Sequence, residues 1–164
     1  LSVKLIAVGN KLMGDEGIAI KVAEYLLSDT DFKEIEIILG ETDIDYCISK
    51  INDNDILFIL DAALSGKKPG SITTIPISKY NSFTNTLITQ HDLSLLRFIK
   101  YNKENISAFL IGIEVERIDF SLSLSLSLEE RFDEICYNIK RIIKYLSSYC
   151  INKDLDATFN HDHP

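Results

Sequence analysis

Two acids and one histidine stand out by type and by place. Glu16 follows a short apolar run, Val3 to Val8, after a break at Gly9-Asn10. Asp61 closes the most hydrophobic run of the chain, Asp55 to Leu60, and His91 sits where a helix with inward Leu95, Leu96 and Ile99 would begin. Two carboxylates and an imidazole are a donor set for a borderline divalent cation such as nickel or zinc, and three donors leave coordination positions open for water or a partner's ligands. A closed structural zinc site would take four ligands, commonly cysteines, and none joins this trio. Asp61 and Glu16 are also the candidates for acid–base work on a bound substrate. Each residue has a plainer reading. Glu16 would complement the positive end of a helix dipole, Asp61 would cap the turn after its strand, and His91 would be an exposed first-turn residue.

The elements around them decide whether the trio can meet. Val3 to Val8 reads as an apolar strand, and Asp15 as the cap of a helix with stripe Ile18, Val22 and Leu26. A second strand is expected over Glu34 to Leu39, ended by Gly40, then a short helix to about Ile51 opened by a capping box of Thr42 and Asp45. Asp55 to Leu60 is apolar on both faces, as at the centre of a parallel sheet. Ser71 to Ile77 alternates like an edge strand limited by Pro76, and Thr89 with Asp92 forms a further capping box. Ile106 to Ile113 is another apolar strand. Ser127 with Glu130 opens a last helix whose stripe runs Leu128, Phe132, Ile135, Ile139, Ile142 and Leu146. The Ser-Leu alternation from Ser121 to Leu128 fits a short half-buried strand.

Strands alternating with helices imply an α/β fold, a three-layer α/β/α arrangement on a mostly parallel twisted sheet. In such a sheet the C-terminal strand ends and the following helix starts share one edge, where ligand sites gather. Glu16, Asp61 and His91 all fall at that edge.

Composition narrows the partners. The chain has 164 residues and a net charge of −8. That size suits one domain over residues 1–150, followed by a polar tail, 151–164, expected to be disordered, with His161 and His163 in it. An acidic chain does not suit a nucleic-acid partner. No apolar run reaches the roughly 18 residues that cross a bilayer, and Val3 to Val8 is too short for a signal peptide, so a cytoplasmic location is expected. Cys47, Cys136 and Cys150 have no close spacing and lie among apolar residues, which reads as buried spectators rather than a disulfide or zinc framework. The Gly9 to Gly17 loop lacks both the dinucleotide and the P-loop pattern, and its two acids would repel phosphate.

The loop Val8-Gly9-Asn10-Lys11-Leu12-Met13-Gly14-Asp15-Glu16-Gly17 closely resembles the N-terminal signature of the hydrogenase maturation proteases. Asp61-Ala62-Ala63 with Gly66 and Pro69-Gly70 is similar to that family's strand-end Asp-Ala segment, and Thr89-Gln90-His91-Asp92-Leu93 to its histidine segment. Ile111-Gly112-Ile113-Glu114 with Glu116 is a weaker echo. The resemblance spans about residues 3 to 146. It implies an endopeptidase that removes the C-terminal extension of a nickel–iron hydrogenase large-subunit precursor, with Glu16, Asp61 and His91 as metal ligands. The nickel would be supplied by the precursor, and Asp61 and Glu16 would be the catalytic acids. Ala7 and Ala19 stand where many members have glycine, and Val115 where proline is frequent. Two rivals are an inactive relative that binds a metal or maturation partner, and a germination-type peptidase of related fold.

Overall fold

All eight residues of Ile56–Ala63 are buried, and this strand is the centre on which the sheet is built. The computed structural model describes residues 2–80, 92–102 and 105–159. Its strands are β1 (Val3–Val8), β2 (Glu36–Glu41), β3 (Ile56–Ala63), β4 (Ile72–Pro76) and β5 (Ser107–Glu114), in the order β2-β1-β3-β5-β4. β1, β2, β3 and β5 run parallel, and β4 closes one edge antiparallel to β5. The α-helices among the described residues are α1 (Ile18–Leu27), α2 (Ile44–Ser49), α3 (Asp92–Asn102) and α4 (Leu126–Phe159).

Side-chain alternation along the strands divides the interior into two cores. Leu5, Ala7, Phe58, Leu60, Ala62, Ile111 and Ile113 pack against α1 and α4. Ile6, Val8, Leu57, Ile59 and Leu110 pack against Cys47 of α2 and Leu95, Leu96 and Ile99 of α3. The α/β/α layering expected from the sequence is therefore present. All three cysteines are buried, Cys47 in α2 and Cys136 and Cys150 in α4. Burial pushes the Cys136 thiol up to about 12, which keeps it protonated and inert.

Several local expectations are corrected. β2 does not end at Gly40 but runs through it to Glu41. A side chain at position 40 would collide with the Cys47 sulfur, so this glycine serves packing of α2 on the sheet rather than a turn. α2 is capped by Asp43, whose carboxylate accepts from the Tyr46 N–H at 2.9 Å, and not by Thr42. Asp55 precedes β3 and turns its side chain to Lys4 instead of joining the strand. The capping box of Thr89 and Asp92 lies outside the residues whose side chains are described. Ser121 to Leu128 is not a strand. Only Ser121 makes a bridge, to Met13, and α4 begins at Leu126. Residues 151–159 of the polar tail are helical, because α4 continues to Phe159. His161 and His163 lie outside the described residues.

Two charged groupings bear on stability. The Lys4 ammonium lies 2.9 Å from Asp55, with both side chains only 3% exposed, and donates to the Lys50 carbonyl at 2.7 Å. Asp55→Ala leaves the buried Lys4 only the half-exposed Glu36, 3.7 Å away, as a carboxylate partner, and a loss of about 3 kcal/mol in urea unfolding is expected. Replacing the pair together, Lys4→Met with Asp55→Leu, should recover most of it. Within the α1–α4 layer, Lys140 of α4 reaches Asp29 at 2.6 Å and Asp31 at 3.0 Å, and Lys144 reaches Asp31 at 3.0 Å. The Lys140 hydrogen bonds hold both carboxyls below their ordinary range. Their contribution is complete above the unfolded carboxylate value, about pH 4, and is lost as pH falls through the lower folded values. Lys140→Ala should therefore flatten the loss of stability with acid below about pH 4. An unchanged slope in a pH series of urea titrations would contradict this.

Candidate active site

The loop after β1 doubles back on itself because two of its glycines remove obstructing side chains. Gly9 has φ +143°, and a methyl there would collide with the Glu16 carbonyl. A methyl on Gly17 would come within 2.8 Å of the Lys11 Cα. Asn10 fixes the outward turn, its side-chain oxygen accepting from Leu12 N at 3.0 Å. The chain then makes a single 3-10 turn, Asp15–Gly17, which leads into α1 and packs against β3. Glu16 rides on this turn, half-buried.

Its neighbour Asp15 does not cap α1, contrary to the reading from sequence, and makes no side-chain cap bond there. It is 1% exposed, and its carboxylate accepts from Ser125 N at 2.6 Å, Ser125 Oγ at 2.8 Å and Glu116 N at 3.1 Å. Three donors reached across more than a hundred residues satisfy a buried charge that a helix end alone would leave in need. The two loops are also joined through the backbone, by Gly14 N to Ser121 O at 2.7 Å and Ser121 N to Leu12 O at 3.0 Å. The turn carrying Glu16 is thus tied to the segment leading into α4.

Asp61 is not at the end of its strand. β3 continues to Ala63, and Asp61 pairs with Gly112 of β5 while its Oδ1 accepts from Ala62 N at 2.7 Å. It is 1% exposed, and alternation places it with Leu57 and Ile59 on the face that carries α2 and α3. Gly112 presents no side chain beside it, and a methyl there would come within 3.3 Å of the Ala63 Cβ. Two residues on, Ala63 pairs with Glu114, a buried acid whose structural weight the sequence understated. One oxygen of Glu114 accepts from Ser65 N at 2.7 Å and Gly66 N at 2.8 Å, and the other from Ser65 Oγ at 2.7 Å. An acid ending an otherwise apolar strand was the available signal.

The structure brings the Glu16 turn and the Asp61 strand into contact at the C-terminal edge of the sheet. His91 lies outside the described residues, as do all the histidines of the chain, although α3 follows it on the Asp61 face. Among the described residues no group of three His, Cys, Asp or Glu is placed to hold a metal.

The family model described as hydrogenase maturation protease matches residues 20–143. The chain belongs to the hydrogenase maturation protease family. Its members are endopeptidases that cleave the C-terminal extension of hydrogenase large subunits. A Methanocaldococcus jannaschii protein assigned provisionally to these proteases is 30% identical over 128 residues, 71% of this chain and 73% of its own. Among solved structures, the hydrogenase maturating endopeptidase HybD from E. coli has a TM-score of 0.67 at 22% identity, covering 88% of this chain and 93% of its own. The [NiFe] hydrogenase maturation protease HybD from Thermococcus kodakarensis also has a TM-score of 0.67, at 23% identity, covering 87% and 99%. At these identities the structures establish the shared fold. Within the family, Ala7 is an unstrained departure, since among the described residues the non-glycine ones with positive φ are Glu41 and Asn54.

Gly9→Ala tests how far the loop geometry matters. A side chain there is strained by φ and must displace the Glu16 carbonyl. A fall of at least about tenfold in peptide cleavage is expected, with the chain still folded by circular dichroism. Undiminished cleavage would show that the Glu16 turn tolerates displacement.

Proposed function

We propose that this chain cleaves the C-terminal extension of a nickel-loaded nickel–iron hydrogenase large-subunit precursor, and that Glu16, Asp61 and His91 form the site that engages the precursor's nickel. The observation that supports this reading best is the contact of the Glu16 turn with β3, which places a half-buried and a buried carboxylate on touching elements at one sheet edge. Two carboxylates and an imidazole leave positions open for the cysteines that already hold the nickel in the precursor. The metal belongs to the substrate, and the donor set suits its transient capture. No helix among the described residues is long and apolar enough to cross a membrane, in keeping with a cytoplasmic maturation step.

The division of labour follows from burial. Asp61 sits in a strand, fixed by the Ala62 N–H, and supplies a rigid carboxylate. Glu16 sits on a turn at the rim, the position from which a carboxylate can also take a proton from the attacking water. Engagement of nickel would confine cleavage to loaded precursor and spare the empty form, which is discrimination by an added requirement at the site.

Asp61→Asn keeps the shape and hydrogen-bond capacity of the side chain but removes its charge. A drop in precursor cleavage of at least about a hundredfold is expected, read by intact mass of the product, with little change in thermal stability. Wild-type cleavage by Asp61→Asn would remove that residue from the chemistry. Equal rates on nickel-loaded and nickel-free precursor would remove the metal from recognition.

A further inference from the structure

The strand β4 pairs only with β5 among the described residues, so its outer edge offers free backbone groups. Beside it runs α4, and between the two lies a chain of three cavities. The first, about 620 Å³, opens at Gly70 and Ile72 against Arg131, Arg141 and Tyr145. The second, about 330 Å³, shares Ile142 and Tyr145 with the first and adds Thr74, Pro76 and Phe109. The third, about 500 Å³, shares Pro76 and Phe109 with the second and reaches Tyr149 and Lys153. They form one groove that follows α4. The first two cavities run beside β4, and the third continues past Pro76 to the start of β5, where Ile99 and Lys100 of α3 also line it. From Arg131 to Lys153 the helix rises about 33 Å, a span that about ten residues of extended chain cover.

The upper end of this groove lies at the same edge of the sheet as Asp61, on the opposite face. Asp61 pairs with Gly112, and Gly112 with Thr73 of β4. Two strand spacings, about 10 Å, therefore separate the Asp61 row from β4. Gly70 and Ser71 are held there by Gly70 N to Glu114 O at 2.7 Å and Glu114 N to Ser71 O at 2.8 Å.

The charge of the groove opposes that of the protein. The chain has 25 acidic and 17 basic residues, yet no carboxylate lines any of the three cavities, while Arg131, Arg141 and Lys144 line the first and Lys79, Lys100 and Lys153 the third. Arg131 and Lys144 are paired outside it, with Glu134 and Asp31. Arg141 rests on the Tyr137 ring at 5.8 Å and has no carboxylate partner among the described residues. Along α4, Tyr137, Arg141, Tyr145 and Tyr149 recur every fourth residue, and the three tyrosines are 61%, 72% and 57% exposed. Tyrosine and arginine are the residue types that dominate binding at protein interfaces.

We propose that the β4–α4 groove binds an extended, net-acidic segment of the protein substrate, added alongside β4 and anchored by Arg141 and Tyr145. This rests on the protease reading for the identity of the substrate. Edge-strand pairing supplies sequence-tolerant affinity, and the cations select an acidic stretch. The groove thereby holds a part of the substrate remote from the bond to be cut.

Binding and cleavage separate the two claims. Fluorescence anisotropy would use labelled peptides of about twelve residues, one alternating glutamate with valine and one lysine with valine, and an oligouridylate of similar length. The glutamate peptide should bind best. Arg141→Glu with Tyr145→Ser should weaken it about tenfold and raise KM for the nickel-loaded precursor comparably with kcat unchanged, while Arg141→Lys stays within about twofold of wild type. Both anchors are exposed on α4, so these variants should fold normally. Preference for the lysine peptide or the oligonucleotide would overturn the proposal, as would unchanged binding and KM in the double variant. Arg141-dependent binding of the glutamate peptide by a chain that cleaves no precursor would support the groove and sink only the protease reading.

Discussion

A carboxylate taken out of water must be given hydrogen-bond donors, and two such groups, Asp15 and Glu114, organise the edge on which the candidate site stands. Asp15 draws its donors from residues 116 and 125, and Glu114 from residues 65 and 66. Each ties a loop to a neighbour that sequence order would not suggest. Their positions explain their importance. Asp15 is bonded covalently to Glu16, and Glu114 pairs with Ala63, two residues beyond Asp61. Loops built on buried carboxylates cannot drift without leaving those groups without donors, so these bonds tie the rim to the sheet. The sheet supplies proximity. The buried acids supply orientation.

Much of the frame was legible because it depends on local pattern. β1 runs over the residues expected of it, β4 is an edge strand closed by Pro76, and Leu95, Leu96 and Ile99 face inward on α3. What failed was what depends on distant partners. Asp15 looks like a cap because three residues after a glycine-rich loop a helix begins, and nothing local reveals Ser125. Asp61 looks like a strand terminus because the apolar run stops there. The strand continues because Gly112 on β5 pairs with it. The Ser-Leu alternation has the period of a strand but no strand to pair with along its length. Leu122 and Leu126 stay exposed, while Leu128 is buried at the helical spacing that α4 imposes.

Of the trio, two members can be located, and His91 lies outside the described residues. The Glu16 turn packs on the Asp61 strand, and His91 precedes the helix on the face that Asp61 shares. Family membership adds the substrate and the reaction. The same edge of the sheet carries, on its other face, the upper end of the β4–α4 groove, a surface long enough for an extended chain. One end of the sheet would then serve both recognition of the metal and capture of the polypeptide that carries it.

The central claim is that protein carboxylates meet the precursor's nickel. Nickel-edge X-ray absorption on the wild-type chain mixed with loaded precursor and frozen before turnover tests this directly. The account predicts an added oxygen or nitrogen shell at the nickel on complex formation, lost with Asp61→Ala although the complex still forms. A nickel spectrum identical in the free precursor and the complex would contradict it.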